Sequence, residues 1–129
     1  IKLLVKPHPN CPIISSDYPG LEMEITMESI STLLLKSNIA FTSNITSAAI
    51  DAYCVNVPVI SVLNPNSLNL SPLRGFNGVK YVSSGKELYE ILKKLTIQKS
   101  NQVIINESYE DYFNLDYKLN KWKKLLFLK

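Results

Sequence analysis

Cysteine is scarce in this chain, and the two that it has, Cys11 and Cys54, lie far apart. Neither belongs to a Cys-x-x-Cys pair or has a histidine at the spacing of a metal site. Disulfides are typical of oxidising compartments, so two isolated thiols favour a cytoplasmic protein. The sequence also lacks an Asp-x-Asp motif and any His/Cys cluster. We therefore expect neither a metal ion nor a bound cofactor.

Long apolar runs are absent as well. The longest unbroken ones are a few residues, too short to predict a membrane-spanning segment. The sequence starts with Ile1 inside an apolar run, without a Met or a charged and then apolar leader. A length of 129 residues and a hydrophobic content of 46% suit a single globular domain. We expect the chain to be one domain of a longer protein.

Positive charge is concentrated at one end. The final segment carries five lysines and no acid: Lys118, Lys121, Lys123, Lys124 and Lys129. Without these five, nine bases stand against eleven acids. A general nucleic-acid surface requires bases spread along a face or groove, so the sequence predicts no nucleic-acid partner.

Short apolar segments that are typical of strands alternate along the chain with segments in which apolar residues have helical spacing. This alternation predicts an α/β fold. The expected elements are a strand over residues 1–6, an edge strand over 21–26, a helix over 28–36, a buried strand over 39–42, a helix over 46–55 with Asn56 as a left-handed C-cap, strands over 59–63 and 80–82, and a helix over 84–95. This order favours a Rossmann-like parallel sheet with helices on both faces. We expect residues 1–95 to form a nucleotide-binding domain and residues 96–129 a helical extension.

A rigid polar loop follows the first predicted strand. Prolines flank His8 in the sequence Lys6-Pro7-His8-Pro9, which we call the His8 loop. Ligands bind beyond the carboxyl ends of parallel strands, and an imidazole there could donate to a phosphate or protonate a leaving phosphate. Lys6 could add positive charge. The alternatives are a histidine that caps a turn and a solvated lysine.

A second polar loop follows the strand predicted over 39–42. It reads Ser43-Asn44-Ile45-Thr46-Ser47, and we call it the serine-threonine loop. Helix N-termini expose unpaired N–H groups, so hydroxyls there can complete an anion site. One of these residues is expected to be an ordinary N-cap. The number of hydroxyls favours a phosphate site in addition.

The two loops together resemble the donor half of GT-B enzymes that use CMP- or CDP-linked donors. Those families include bacterial sialyl- and polysialyltransferases and CDP-glycerol glycerophosphotransferases. In the latter, a Thr-Asp-Tyr-Ser-Ser segment has an Asp four residues after its last Ser, as Ser47 has Asp51 here. Asn44 departs from their Asp. The segment from Ala48 to Ile60 is similar to the corresponding segment of GT-B donor domains. The end of the chain is similar to that of bacterial surface-carbohydrate biosynthesis proteins.

The resemblance implies roles for eight residues. His8 would contact and protonate the donor phosphate, while Thr46 and Ser47 would bind it. The remaining donor-contacting residues would be Lys6, Pro9, Ser43, Asn44 and Arg74. The catalytic base of these families lies in an N-terminal domain, which would be a further part of the same protein, and a first strand and helix would precede Ile1.

The sequence leaves open two alternative functions and two interpretations of its last residues. A non-hydrolysing UDP-sugar 2-epimerase has the same donor half, and a non-catalytic nucleotide- or partner-binding module has the same fold class. Residues 115–129 suit a last helix that buries a stripe of Leu119, Trp122 and Leu126. The alternative is an amphipathic helix on an anionic membrane surface.

Overall fold

The structure, a computed structural model, describes residues 1–97 and 118–127. Its strands are β1 (Leu3–Val5), β2 (Met23–Ile25), β3 (Ala40–Ser43), β4 (Val59–Val62) and β5 (Val79–Val82). Its α-helices are α1 (Ile30–Leu35), α2 (Ala48–Cys54), α3 (Gly85–Ile97) and α4 (Asn120–Leu125), and a 3₁₀ turn spans Ser15–Asp17. The strand pairs are all parallel. The predicted α/β class and parallel strand direction are therefore confirmed.

The strands form two small sheets and not one. β1 pairs with β2, whereas β3, β4 and β5 form a three-stranded sheet in that order. The alternation of strands and helices indicates strand direction, because a helical crossover joins parallel neighbours. It does not specify which strands become neighbours. The prediction of a single sheet is wrong for this reason.

β3 is an edge strand of the three-stranded sheet, although its apolar sequence predicts a buried one. Its side chains alternate between half-buried and exposed, and Phe41 is 52% exposed. The central strand β4 is buried at Val59, Ile60 and Ser61. A short apolar run looks the same in an edge and a central strand, since only the pairing distinguishes them.

The core lies between α2 and the three-stranded sheet. Ala49, Ala52 and Tyr53 of α2 are almost fully buried against Val59 of β4. Alanine at two of these positions lets the helix approach the sheet closely. Leu73, from the loop over residues 63–78, is also fully buried in this cluster. The loop is thus anchored to the core at its centre.

The end of α2 follows its sequence prediction. Asn56 has φ 59°, in the left-handed region. Asparagine adopts this conformation more readily than most residues, and its position suits a helix C-cap. The predicted left-handed C-cap is confirmed.

α3 begins with a modified capping box. The Glu87 N–H donates to Ser84 Oγ at 3.3 Å, as the sequence spacing predicts. The Glu87 carboxylate accepts from the Ser83 N–H at 2.7 Å and also from the Ser83 hydroxyl. In an ordinary capping box it would accept from the N–H of Ser84, one residue later. These bonds hold the pKa of Glu87 below its usual range.

Glu87→Gln should therefore change how stability depends on pH. The folded-state pKa is depressed, so the stabilisation is present above the ordinary value of 4.5 and is lost as pH falls through the lower folded-state pKa. We expect the variant to have a lower melting temperature than the parent at pH 7. The difference between the two melting temperatures should disappear under acid conditions. Thermal unfolding from pH 3 to 7 measures this. Glu90→Gln is the control, and a gap that stays constant with pH would contradict the assignment.

The last described helix does not show the predicted buried stripe. Leu119, Trp122 and Leu126 are each more than half exposed. α4 lies within the predicted extension, of which residues 98–117 and 128–129 fall outside the described residues. The described helices include none with the length and apolarity to cross a bilayer.

Candidate functional site

The three parallel strands β3, β4 and β5 end at the same level. Ser43 pairs with Val62, and Val62 pairs with Val82. The serine-threonine loop, the 63–78 loop and the turn at Ser83 therefore leave the sheet from one edge. In parallel sheets this carboxyl edge is where ligands bind. We call it the carboxyl edge.

In the serine-threonine loop, one hydroxyl caps α2 and two others are exposed. Thr46 Oγ1 accepts from the Ala48 N–H at 3.3 Å and so caps α2. Ser47 stands at the N-cap position, but its side chain makes no capping hydrogen bond, and it is exposed. Ser43 is exposed, and Asn44 Nδ2 donates to the Leu68 carbonyl at 3.5 Å. The Ser43 and Ser47 hydroxyls therefore face solvent at the carboxyl edge.

The His8 loop forms a tight turn. The Cys11 N–H donates to the His8 carbonyl at 2.9 Å, and the Asn10 N–H donates to His8 Nδ1 at 3.1 Å. A ring nitrogen that accepts carries no proton, so Nε2 bears the proton of the neutral ring. His8 thus has the turn role that the sequence left open. Its exposed Nε2–H can still donate.

Lys6 and Arg74 are held by backbone carbonyls. Lys6 Nζ donates to Glu28 O at 2.7 Å and to Met27 O at 3.4 Å, which ties the end of β1 to the segment before α1. Arg74 Nη1 donates to Asn69 O at 3.3 Å, within its own loop. Both contacts have a structural role; that of Arg74 is local, whereas those of Lys6 join distant parts of the chain. Pro9, like its neighbour His8, is exposed.

The predicted site residues therefore fall into two groups. Ser43, Asn44, Thr46 and Ser47 lie together at the carboxyl edge, where the 63–78 loop that carries Arg74 also begins. Lys6, His8 and Pro9 follow β1, which belongs to the other sheet. In the part of the chain that the structure describes, no hydrogen bond or ion pair joins the His8 loop to the serine-threonine loop.

Three hydroxyl-bearing residues of the sheet escaped the sequence analysis. Thr42, Ser61 and Tyr81 occupy paired positions across β3, β4 and β5. Their signal in the sequence is weak, because β3 and β5 each have a second polar residue, Ser43 and Lys80. Strand register is needed to bring the three into one row, and sequence alone does not give it.

A hollow of about 480 Å³ opens elsewhere, beside β1 and β2. Ile1, Lys2, Leu3, Glu22, Met23 and Glu24 line it. Lys2 and Glu24 form an exposed ion pair of 2.8 Å at this place. Because its lining begins before both strands, the hollow lies toward their amino ends. It is not at the carboxyl edge.

Of the two cysteines, Cys11 is exposed and Cys54 is partly buried. Burial, with a smaller contribution from the Asp51 carboxylate, raises the pKa of the Cys54 thiol, which disfavours the nucleophilic thiolate. Among residues 1–97 and 118–127, no group of three or more His, Cys, Asp or Glu side chains could hold a metal ion.

The chain matches no protein-family model, no curated protein and no solved structure. Its function is therefore inferred from its own residues. The geometry at the carboxyl edge offers exposed hydroxyls and the first turn of α2, a combination suited to hydrogen bonding an anion.

Proposed function

We propose that this chain is the donor-nucleotide-binding part of a GT-B glycosyltransferase, or of a glycerophosphotransferase-like enzyme, in bacterial surface-polysaccharide biosynthesis. The donor is CMP- or CDP-linked, and the site is cytoplasmic. The catalytic base is supplied by another domain of the same protein. The chain by itself then binds the donor without turning it over.

The main observation in support of the proposal is that β3, β4 and β5 end at the same level and form the carboxyl edge. It brings the serine-threonine loop beside the 63–78 loop, and Asn44 bonds across to Leu68. Ser43 and Ser47 are exposed there. Hydroxyls and backbone N–H groups at the end of a parallel strand suit phosphate oxygens.

Four of the eight predicted residues then have a specific part. Ser47 donates its hydroxyl to the donor phosphate, and Thr46 shapes the turn that presents the adjacent N–H groups. His8 donates through Nε2, since its Nδ1 accepts from the Asn10 N–H. Lys6 positions the His8 loop through its bonds to the carbonyls of residues 27 and 28.

The rival functions differ in the nucleotide that they require. A 2-epimerase of the same fold needs a UDP-sugar, and a partner-binding module needs no nucleotide. Calorimetric titration of the 129-residue chain with CMP, CDP, UMP and UDP separates them. We expect cytidine nucleotides to bind best and His8→Ala to weaken them. Preference for UDP would favour the epimerase, and a folded chain that binds none of the four would exclude the donor-domain proposal.

We also propose that α4 rests on an anionic membrane surface. Trp122, Leu125 and Leu126 are exposed on one side of the helix, and Lys121 and Lys123 flank that side. An apolar side edged by lysines suits the lipid interface, where long side chains reach the headgroups. The exposure of the apolar side chains favours this partner over a packed last helix.

Removing the charges of Lys121, Lys123 and Lys124 by substitution with glutamine tests the membrane contact. Lys121 and Lys123, which flank the apolar side, are each worth about 1 kcal/mol near an anionic surface, so the triple variant should bind vesicles about thirtyfold more weakly. Sedimentation with vesicles of phosphatidylserine and phosphatidylcholine measures the partition. Glutamine at the exposed Lys93 and Lys94 of α3 is the control. Equal partition of all three proteins would contradict the membrane contact.

A further inference from the structure

Four strands of the described structure have a free edge, and two of these strands carry no charge. β1 and β2 pair only with each other, while β3 and β5 are the outer strands of the three-stranded sheet. β2 and β5 each contain a charged residue, Glu24 and Lys80, as edge strands that avoid further pairing often do. β1 and β3 contain none. Their free edges are therefore open to another strand.

β1 has the composition of a central strand. Its three residues, Leu3, Leu4 and Val5, are all apolar and only half-buried. A continuous apolar sequence is typical of a strand in the middle of a parallel sheet. A sheet of only two strands is marginally stable by itself. The composition of β1 and the size of its sheet are both those of a strand that takes a second neighbour.

The lysines on either side of β1 do not protect its free edge. Lys2 Nζ contacts the Glu24 carboxylate at 2.8 Å, and Lys6 Nζ donates to Glu28 O at 2.7 Å. Glu24 belongs to β2, and Glu28 follows β2 by three residues. Both charges are thus bound on the β2 side of β1, and the other side has no charge to repel a strand.

The hydrogen bond between β1 and the end of β2 identifies the backbone groups on the free edge of β1. The Thr26 N–H donates to the Val5 carbonyl at 3.0 Å, so the N–H and C=O of Val5 point to β2. Successive residues of a strand direct these groups to opposite edges. The N–H and C=O of Leu4 therefore point to the free edge.

The same reasoning applies to β3. The Ala40 N–H donates at 2.9 Å to the carbonyl of Pro58, directly before β4, so the N–H and C=O of Ala40 point to β4. By alternation, the N–H and C=O groups of Phe41 and Ser43 point to the free edge of β3. Each of the two free edges thus offers both donors and acceptors.

These groups match a parallel pairing of β1 with β3. In a parallel ladder, a residue donates to the residue before its partner and accepts from the residue after its partner. With Leu4 beside Thr42, the Leu4 N–H meets the Phe41 carbonyl. The Leu4 carbonyl then accepts from the Ser43 N–H. Val5 lies beside Ser43 in this register, so β1 ends level with β3 at the carboxyl edge.

The same register extends an apolar row of side chains. Leu3 comes to lie beside Phe41, which is 52% exposed in the structure. Leu3 already pairs with Met23, and Phe41 already pairs with Ile60. The four residues form one row across β2, β1, β3 and β4, and apolar cross-strand pairs of this kind stabilise a sheet. Pairing therefore removes Phe41 from water.

We propose that β1 pairs with β3 when the donor phosphate binds, and that this pairing unites the His8 loop and the serine-threonine loop in one phosphate site. The inference rests on the proposed function, which supplies the ligand. The two loops leave adjacent strand ends in opposite directions, because β1 leads to β2 and β3 leads to β4. A parallel sheet has its ligand crevice at such a divergence. A phosphate that contacts both loops binds the paired state more tightly and shifts the equilibrium toward it.

A disulfide between β1 and β3 tests the pairing. Leu3→Cys and Phe41→Cys are introduced together into a chain that carries Cys11→Ser and Cys54→Ala. Neighbouring strands lie about 4.8 Å apart, within the Cα separation that a disulfide spans. In a glutathione redox buffer, saturating CMP or inorganic phosphate should raise the rate of cross-linking about tenfold, because the paired state changes from a minor to a major population. Mass spectrometry after thiol alkylation measures the rate.

A matched pair of cysteines distinguishes pairing from general flexibility. Val62 is 40% exposed and lies on the same face as Phe41, but one strand further from β1. Leu3→Cys with Val62→Cys should therefore not cross-link with either ligand. The oxidised Leu3→Cys, Phe41→Cys chain should bind CMP about tenfold more tightly than the same chain after reduction, because the pairing is already formed.

Hydrogen exchange of the unsubstituted chain gives a second test that does not depend on the folding of a variant. The Leu4 N–H gains its partner on β3 only in the paired state, and Leu4 lies within β1, before the His8 loop begins. CMP should therefore slow exchange of the Leu4 amide about tenfold. The Leu88 N–H, which donates to Ser84 O at 3.1 Å in α3, is the control and should not change.

Two results would overturn this inference and leave the donor site standing. One is a chain that binds CMP with no change in cross-linking or in exchange of the Leu4 amide. The other is cross-linking that is equally fast with and without ligand, since the pairing would then not depend on phosphate. A folded chain that binds neither CMP nor inorganic phosphate would overturn both the inference and the proposed function.

Discussion

Replacing Thr46 and Ser47 together by alanine is expected to weaken CMP binding about a hundredfold. A hydrogen bond to a charged group contributes about 1.5–3 kcal/mol, and the double variant removes the Ser47 donor together with the Thr46 hydroxyl that orders the turn. The free energy of unfolding should fall by about 1 kcal/mol, because the Ala48 N–H loses its capping partner. Calorimetry and urea unfolding measure the two effects separately.

A matched control distinguishes loss of a ligand contact from loss of a helix cap. Ser29 caps a different helix, α1, by accepting from the Thr32 N–H at 3.1 Å. Ser29→Ala should lower stability by a similar amount and leave CMP affinity unchanged. Equal losses of affinity in both variants would show that the effect of Thr46 and Ser47 is only structural.

Replacing Leu73 by alanine should lower the free energy of unfolding by about 2–5 kcal/mol. Leu73 is fully buried and packs in the same cluster as Tyr53 and Val59. Truncation of such a side chain loses its burial and leaves a cavity. The same change releases the centre of the 63–78 loop, so we expect the Asn44 to Leu68 contact to weaken as well.

Urea unfolding with Leu68→Ala as the control measures this effect. Leu68 lies in the same loop and is 79% exposed, so its truncation should change stability by less than about 0.5 kcal/mol. If Leu73→Ala cost no more than Leu68→Ala, the loop would not be anchored to the core. The description of the carboxyl edge would then fail.

Local sequence signals predicted the elements of this fold well. Asn56 and the Ser84 to Glu87 spacing indicate helix ends through interactions between near neighbours, and both features occur in the structure. Strand pairing depends on contacts between distant residues. The sequence therefore did not show that β1 and β2 form their own sheet, or that Phe41 lies on an exposed edge strand.

The candidate site was predictable to a similar extent. The serine-threonine loop lies at the carboxyl end of β3, as its place after an apolar run indicates. The contacts of Lys6 with the carbonyls of residues 27 and 28 were not predictable, since they bring together parts of the chain more than twenty residues apart. The pairing of Thr42, Ser61 and Tyr81 likewise appears only when the register of three strands is known.

The most direct test of the donor-site proposal is a nitrogen–proton correlation spectrum of the 129-residue chain recorded during titration with CMP. We expect the backbone amides of Thr46, Ser47 and Ala48 to shift with the same saturation curve as those of Lys6 and His8, because one nucleotide contacts both loops. Inorganic phosphate should shift the amides of residues 46–48 as well. Shifts confined to other parts of the chain, or no saturable shift in a folded sample, would contradict the proposal.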